Sequence, residues 1–164
     1  MMSTDPTGMS TTSTDTAVSA SAVAAAPRAQ LFDLVATPAM HPRIDGSGTV
    51  RSASPSGPAR LALGARFGMG MRMKLPYRTS NRVVEFEEGT RIAWAHFSRA
   101  VWRWEFRDVE GGTQVTETFD WSGSIAPVVM RRFAPGNLVA MQRSITRLAA
   151  LAEETPVGPI VGTD

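Results

Sequence analysis

Apolar and polar residues alternate with a period of two through the middle of the chain and switch to a period near 3.6 at its end. At that end Leu138, Met141, Ile145, Leu148 and Leu151 share one helical face, and Gln142, Arg143, Thr146, Arg147 and Glu153 occupy the other. The pattern predicts a long helical stretch from Pro127 to Glu154. A break is expected at Ala134-Pro135-Gly136, with roughly four and a half turns after it. Such a stripe has to bury itself on something. The large candidate upstream is a series of strands.

The clearest alternation sets Phe67, Met69, Met71, Met73 and Leu75 against Gly68, Gly70, Arg72 and Lys74, a thioether ribbon that Pro76 interrupts. Arg82 to Glu88, with Val84 and Phe86 inward, and Arg91 to Phe97 follow as strands around the turn Glu88-Gly89-Thr90. Val101 to Asp108 places Trp102, Trp104 and Phe106 opposite Arg103, Glu105 and Arg107. After Glu110-Gly111-Gly112, Thr113 to Trp121 puts Val115, Glu117, Phe119 and Trp121 on one face. Upstream, Val18 to Ala24 is a strand of small residues. Pro27 starts a short helix through Leu31-Phe32 and Leu34-Val35. A second helical or turn segment holds Met40 to Ile44 and stops at Asp45-Gly46-Ser47-Gly48. Thr49 to Ala53 is a strand, and Ser54 to Arg60 a Pro/Gly/Ser loop.

The order is strand, two short helices, about six strands, one long helix. Successive strands joined by short turns make an antiparallel sheet, and one apolar face means that one side is covered. The fold class is α+β: a twisted sheet curling around the C-terminal helix. The expected organisation is a disordered tail over 1–16, one domain over 17–154 and a second disordered tail over 155–164. Both tails lack apolar periodicity.

Composition narrows the picture. A chain of 164 residues is long enough for one real core. Its +2 net charge comes with basic residues scattered along strands and helices. No basic groove interleaved with aromatics appears, so nucleic acid is not expected as a partner. The absence of Cys removes disulfides, thiolate ligands and a thiol nucleophile, and fits a cytoplasmic location. No apolar run reaches the roughly 20 residues of a membrane span, so stable insertion is not expected. The Ala-rich stretch Thr16 to Ala26 is read as a strand instead of a signal peptide. Asp5 and Asp15, with no Lys or Arg, precede it, and Ser19 and Ser21 interrupt it.

Three local features resemble the START-like (SRPBCC) superfamily, which has the helix-grip fold, β-α-α-β6-α. They are the opening strand followed by Ala26-Pro27 and Leu31-Phe32-Asp33-Leu34, the loop Pro38 to Gly48 with its segment His41-Pro42-Arg43-Ile44-Asp45-Gly46-Ser47-Gly48, and Gly112-Thr113-Gln114-Val115-Thr116-Glu117-Thr118. The likeness runs from about Val18 to Glu154 and is similar to bacterial polyketide cyclase/dehydrase-like members. It implies a hydrophobic ligand between sheet and helix. It is specific for fold and poor for activity.

The residues themselves supply candidates for such a pocket. Met69, Met71, Met73, Trp94, Trp102, Trp104, Phe119 and Trp121 offer large adaptable apolar surface; the alternative is simple packing on the helix. Met141 and Ile145 are the helix positions expected to face a ligand, with Leu148 and Leu151 sealing the closed end. Register decides whether the cluster forms. A three-residue loop at Ser98-Arg99-Ala100 sets Trp94 beside Trp104 and His96 beside Trp102, whereas a two-residue turn puts Trp94 and His96 on the other face.

Glu117, aimed inward by alternation, is a candidate acid, base or hydrogen-bond acceptor for a ligand; the competing reading is a structural pair with an Arg or a bulge to solvent. His96 is the second candidate for proton transfer or ligand contact, against a satisfied core or rim histidine. His41 is read as a mouth or surface residue, Asp45 to Gly48 as a turn, and Arg131-Arg132 as a solvated pair. Two distant histidines make no metal motif, and Gly68-Met69-Gly70 lies in a strand with no following helix, so no cofactor is expected. Three functions follow: binding of a lipid- or polyketide-like molecule; a cyclase or dehydratase using Glu117 or His96; and a protein-interaction domain of the co-chaperone type. Oligomeric state has no signal in the sequence.

Overall fold

The structure is a computed structural model and describes residues 1–4 and 8–154. Nine strands form a single antiparallel sheet. They are β1 (Met2–Thr4), β2 (Ser10–Ser13), β3 (Ala17–Ala24), β4 (Val50–Ala53), β5 (Arg66–Arg72), β6 (Pro76–Glu87), β7 (Arg91–Ala95), β8 (Val101–Val109) and β9 (Gly112–Asp120). Their spatial order is β1-β2-β3-β9-β8-β7-β6-β5-β4. Helices α1 (Arg28–Ala36) and α2 (His41–Ile44) lie between β3 and β4, and α3 (Pro127–Glu154) closes the fold. The curved, unclosed sheet around a C-terminal helix is the expected α+β helix-grip arrangement.

Residues 1–16 differ from expectation. Among those described, β1 and β2 are strands, and β2 pairs with β3 from Ser10↔Ser21 to Ser13↔Val18. Backbone pairing does not need apolar periodicity. It needs an open edge, which β3 offers, and β-branched Thr suits it. Met9, buried beside β2, anchors the addition. The other tail, 155–164, lies outside the described residues.

α3 also differs. It runs unbroken for 28 residues, about 42 Å, through Pro135 and Gly136. A proline there removes one hydrogen bond to the carbonyl of Arg131, but Arg131, Pro135 and Gly136 are all exposed, so water can satisfy that carbonyl. α3 packs chiefly on β3, whose Ala20 and Ala24 let the helix come close.

Two glycines fix the frame around this helix. A Cβ on Gly46 would lie 2.1 Å from the Ala140 carbonyl oxygen, so the turn after α2 rests directly on α3. The Gly46 amide also donates to Ser144 Oγ at 2.9 Å. Gly112 has φ +144°, and a Cβ there would lie 2.1 Å from the Ala24 carbonyl oxygen, where β9 starts against the end of β3.

β6 begins at Pro76 and is longer than expected. Tyr77, Thr79, Asn81 and Val83 alternate with Arg78, Ser80 and Arg82, and Thr79, Asn81 and Val83 are buried. A register shift between Val83 and Glu85 then reverses the parity. Val84, expected inward, is therefore 42% exposed, while Phe86 still turns in to meet Phe32 edge-on.

Candidate functional site: a cavity between sheet and helix

The β7–β8 connection decides the site. Trp94 lies opposite Trp102, Ile92 opposite Trp104, and the His96 amide donates to the Ala100 carbonyl at 3.0 Å. The loop is three residues long, as one of the two alternatives had it, but it comprises Phe97, Ser98 and Arg99. Arg99 takes the left-handed conformation, φ +64°, that such loops need at their third position. An odd-length loop keeps Trp94 and Trp102 on one face, so the cluster forms with its pairing moved along the strand.

A cavity of about 600 Å³ lies between that face and α3. Met69, Met71, Met73, Trp94, His96, Trp102, Trp104, Glu117, Phe119 and Met141 all line it. Ile145 does not. It is buried at 2% exposure, one turn beyond Met141 on α3, and Trp121, also buried, is likewise outside the cavity wall. Ala140 and Ser144 supply the wall instead. Met73 is at the rim, 62% exposed in the β5–β6 turn, because β5 ends at Arg72. Trp102 packs against Phe119 with ring centroids 4.6 Å apart, and Trp104 is directly opposite Glu117 across β8 and β9.

Glu117 is buried between Ala20 of β3 and Trp104 of β8, and its Oε2 has no hydrogen-bond partner among the described residues. Burial pushes its pKa well above the ordinary carboxyl range, and the nearby charge of Asp45 pushes the same way. Neither an Arg pair nor a bulge to solvent occurs. The neutral acid is the form this surrounding favours, a hydrogen-bond donor facing an apolar space.

His96 is half-buried, with Nδ1 3.1 Å from Ser98 Oγ, and burial lowers its pKa. Ser98 couples this hairpin to the start of α3: its carbonyl accepts from the Ile125 amide at 3.0 Å and from Ser124 Oγ at 2.9 Å.

His41 has a larger part than its loop position suggested. Its ring stacks on Trp94 with centroids 5.2 Å apart, meets Phe67 edge-on, and bonds the Val35 carbonyl through Nε2 at 2.7 Å. A carbonyl only accepts, so Nε2 carries the proton. Burial pushes its pKa down to about 4, against smaller opposing effects of the Val35 bond and Asp45. Asp45 also lines the cavity while its carboxylate accepts from the Ser47 and Val50 amides. Thr79 and Asn81 were missed because Pro76 reads as a strand breaker; the alternation from Tyr77 to Val83 was the available signal. No local signal places His41 on Trp94, since 53 positions separate them in sequence.

A curved sheet holding a ligand-sized cavity against one long helix defines a helix-grip protein. Residues 15–153 match the family of polyketide cyclase / dehydrase and lipid transport proteins, and the chain belongs to that family, within the SRPBCC superfamily. A Mycobacterium tuberculosis (strain H37Rv) protein, Rv0088, itself uncharacterised, is 38% identical over 140 residues, covering 80% of this chain and 62% of that protein. The chain therefore spans less than two thirds of that relative's length. Among solved structures, a Rhodobacter sphaeroides protein superposes with a TM-score of 0.69 at 16% identity, over 95% of this chain and all of the other (100%). The AHSA1-like protein of Aeromonas hydrophila does so with 0.61 at 20% identity, over 87% and 99%. At such identities the likeness is one of fold.

Proposed function

We propose that this protein binds a hydrophobic or aromatic small molecule, lipid- or polyketide-like, in the cavity between the sheet and α3. One observation carries the reading: the cavity of about 600 Å³ is walled by Trp and Met side chains and holds a buried carboxyl group without a partner among the described residues. A space of that size suits a ligand of drug-like or fatty-chain dimensions. The apolar wall supplies affinity. The Glu117 carboxyl donates to a ligand oxygen, and His96 gives a second polar contact. Family membership supports the same ligand class. Native mass spectrometry of the purified protein tests the reading. A co-purifying apolar molecule, lost in Met71→Arg, is the expected result; failure to take up any member of a lipid and polyketide panel would sink it.

The second reading is a cyclase or dehydratase. The specific observation favouring it is a buried carboxyl group whose pKa burial raises well above the ordinary carboxyl range, a direction that suits a general acid. The cavity would hold a reactive chain folded while Glu117 or His96 moves protons. Glu117→Gln should then abolish turnover of a polyketide-like substrate while binding and fold persist. Unchanged turnover in that variant would remove Glu117 as the catalyst.

A further inference from the structure

The cavity mouth is edged by apolar side chains that face water. The tip of the β5–β6 hairpin carries Leu75 at 76% exposure, the β7–β8 hairpin Phe97 at 73%, and the segment into α3 with its first two turns Ile125 at 67%, Val128 at 82% and Phe133 at 49%. Three separate elements thus bring their apolar residues to one opening. The Ser98 carbonyl ties two of them together through the Ile125 amide. The β5–β6 tip belongs to the same end, because β6 pairs with Ala95 at Arg82 and continues back past the β7–β8 turn to Pro76.

Charge on this end is mainly basic, with Asp15 and Asp120 as its acidic members at the strand ends. Arg72, Lys74, Arg78, Arg99, Arg131 and Arg132 are exposed there, and none forms an ion pair among the described residues. The acidic groups concentrate at the far end, where Glu87, Glu88, Asp108 and Glu154 pair with Arg91, Arg60, Arg28 and Arg43. The mouth end therefore combines apolar tips with an excess of cations, and most of the ion pairs lie toward the closed end.

We propose that the mouth docks on an anionic lipid surface, the exposed apolar tips entering the interface and the six basic groups meeting lipid phosphates. Each such cation contributes about 1 kcal/mol, or about fivefold, to partitioning onto an anionic leaflet. Apolar tips around an opening also place the cavity against the bilayer, so that an apolar guest passes between them without crossing water. A second copy fits this end poorly, because a face-to-face pair would oppose cation to cation. Docking goes beyond the ligand-binding reading and stands or falls separately from it, since Leu75, Val128, Arg131 and Arg132 do not line the cavity.

Sedimentation of the full chain with vesicles tests this. The protein should pellet with phosphatidylcholine vesicles containing phosphatidylglycerol and not with phosphatidylcholine alone, and high salt should release it. Neutralising both charges in Arg131→Ser/Arg132→Ser should weaken partitioning roughly 30-fold or more. Leu75→Ser/Val128→Ser should weaken it roughly tenfold with the charge unchanged. Circular dichroism should show both variants folded, as expected for exposed positions. Protein left in the supernatant with anionic vesicles, or binding indifferent to both double variants, overturns the proposal. A dimer in sedimentation velocity that these substitutions dissociate would assign the rim to a second copy instead.

Discussion

At the scale of single residues, Glu117 and His41 make stability depend on pH in opposite directions. The folded-state pKa of Glu117 lies above its ordinary value of 4.5. The folded protein therefore holds a proton that the unfolded chain has released, and stability falls as pH rises from there through the raised pKa. Denaturant melts of Glu117→Gln across pH should lack this decline, making the variant more stable than the parent at alkaline pH. The His41 pKa falls from 6.5 to about 4. Below 6.5 the unfolded chain takes up the proton first, so stability drops as pH falls toward 4, by at most about 3 kcal/mol. His41→Phe keeps the stack on Trp94 and should flatten that acid limb, at the cost of the bond to the Val35 carbonyl. An acid limb unchanged in the variant would mean that another group sets it.

At the scale of elements, α3 is held by contact from the turn after α2. Gly46→Ala would force a Cβ to within 2.1 Å of the Ala140 oxygen and 2.7 Å of the Ser144 nitrogen, both backbone atoms of a helix that cannot yield cheaply. Thermal or urea unfolding should show a loss of about 3 kcal/mol. Gly136→Ala is the complement. A Cβ at Gly136 meets nothing within 4 Å, and the residue is in the interior of a continuous helix. That substitution should stabilise by about 1 kcal/mol. A neutral or destabilising result would argue for an interrupted helix at that point, as the Ala134-Pro135-Gly136 sequence itself suggests.

At the scale of the whole molecule, the cavity links stability to ligand. An apolar dye such as anilinonaphthalene sulfonate, present at a hundred times its dissociation constant, should raise unfolding stability by about 2.7 kcal/mol if it binds only the folded state. Met71→Arg, which places a charge in the wall, should remove most of that gain. The same unfolding shift in both proteins would mean that the dye binds elsewhere.

From Val18 onward most of the elements and most of their faces were legible along the chain, because a period of two or 3.6 is local and a side chain's face follows from its place in the repeat. Alternation alone aimed Glu117, Trp104 and Phe119 inward and put Met141 on the buried side of α3. Tertiary structure decided what local periodicity does not encode. The register of β7 on β8 depended on a left-handed Arg99 and set which Trp faces which. Ile145, on the same face of α3 as Met141, is buried outside the cavity wall, a distinction helical periodicity does not draw. His41 met Trp94 only because α2 folds back over the sheet. β1 and β2 formed on the open edge of β3, where backbone hydrogen bonding does the work and no apolar repeat announces it. The cavity itself is a remainder, the volume left where sheet curvature and one long helix fail to meet, and no residue along the chain carries that quantity alone.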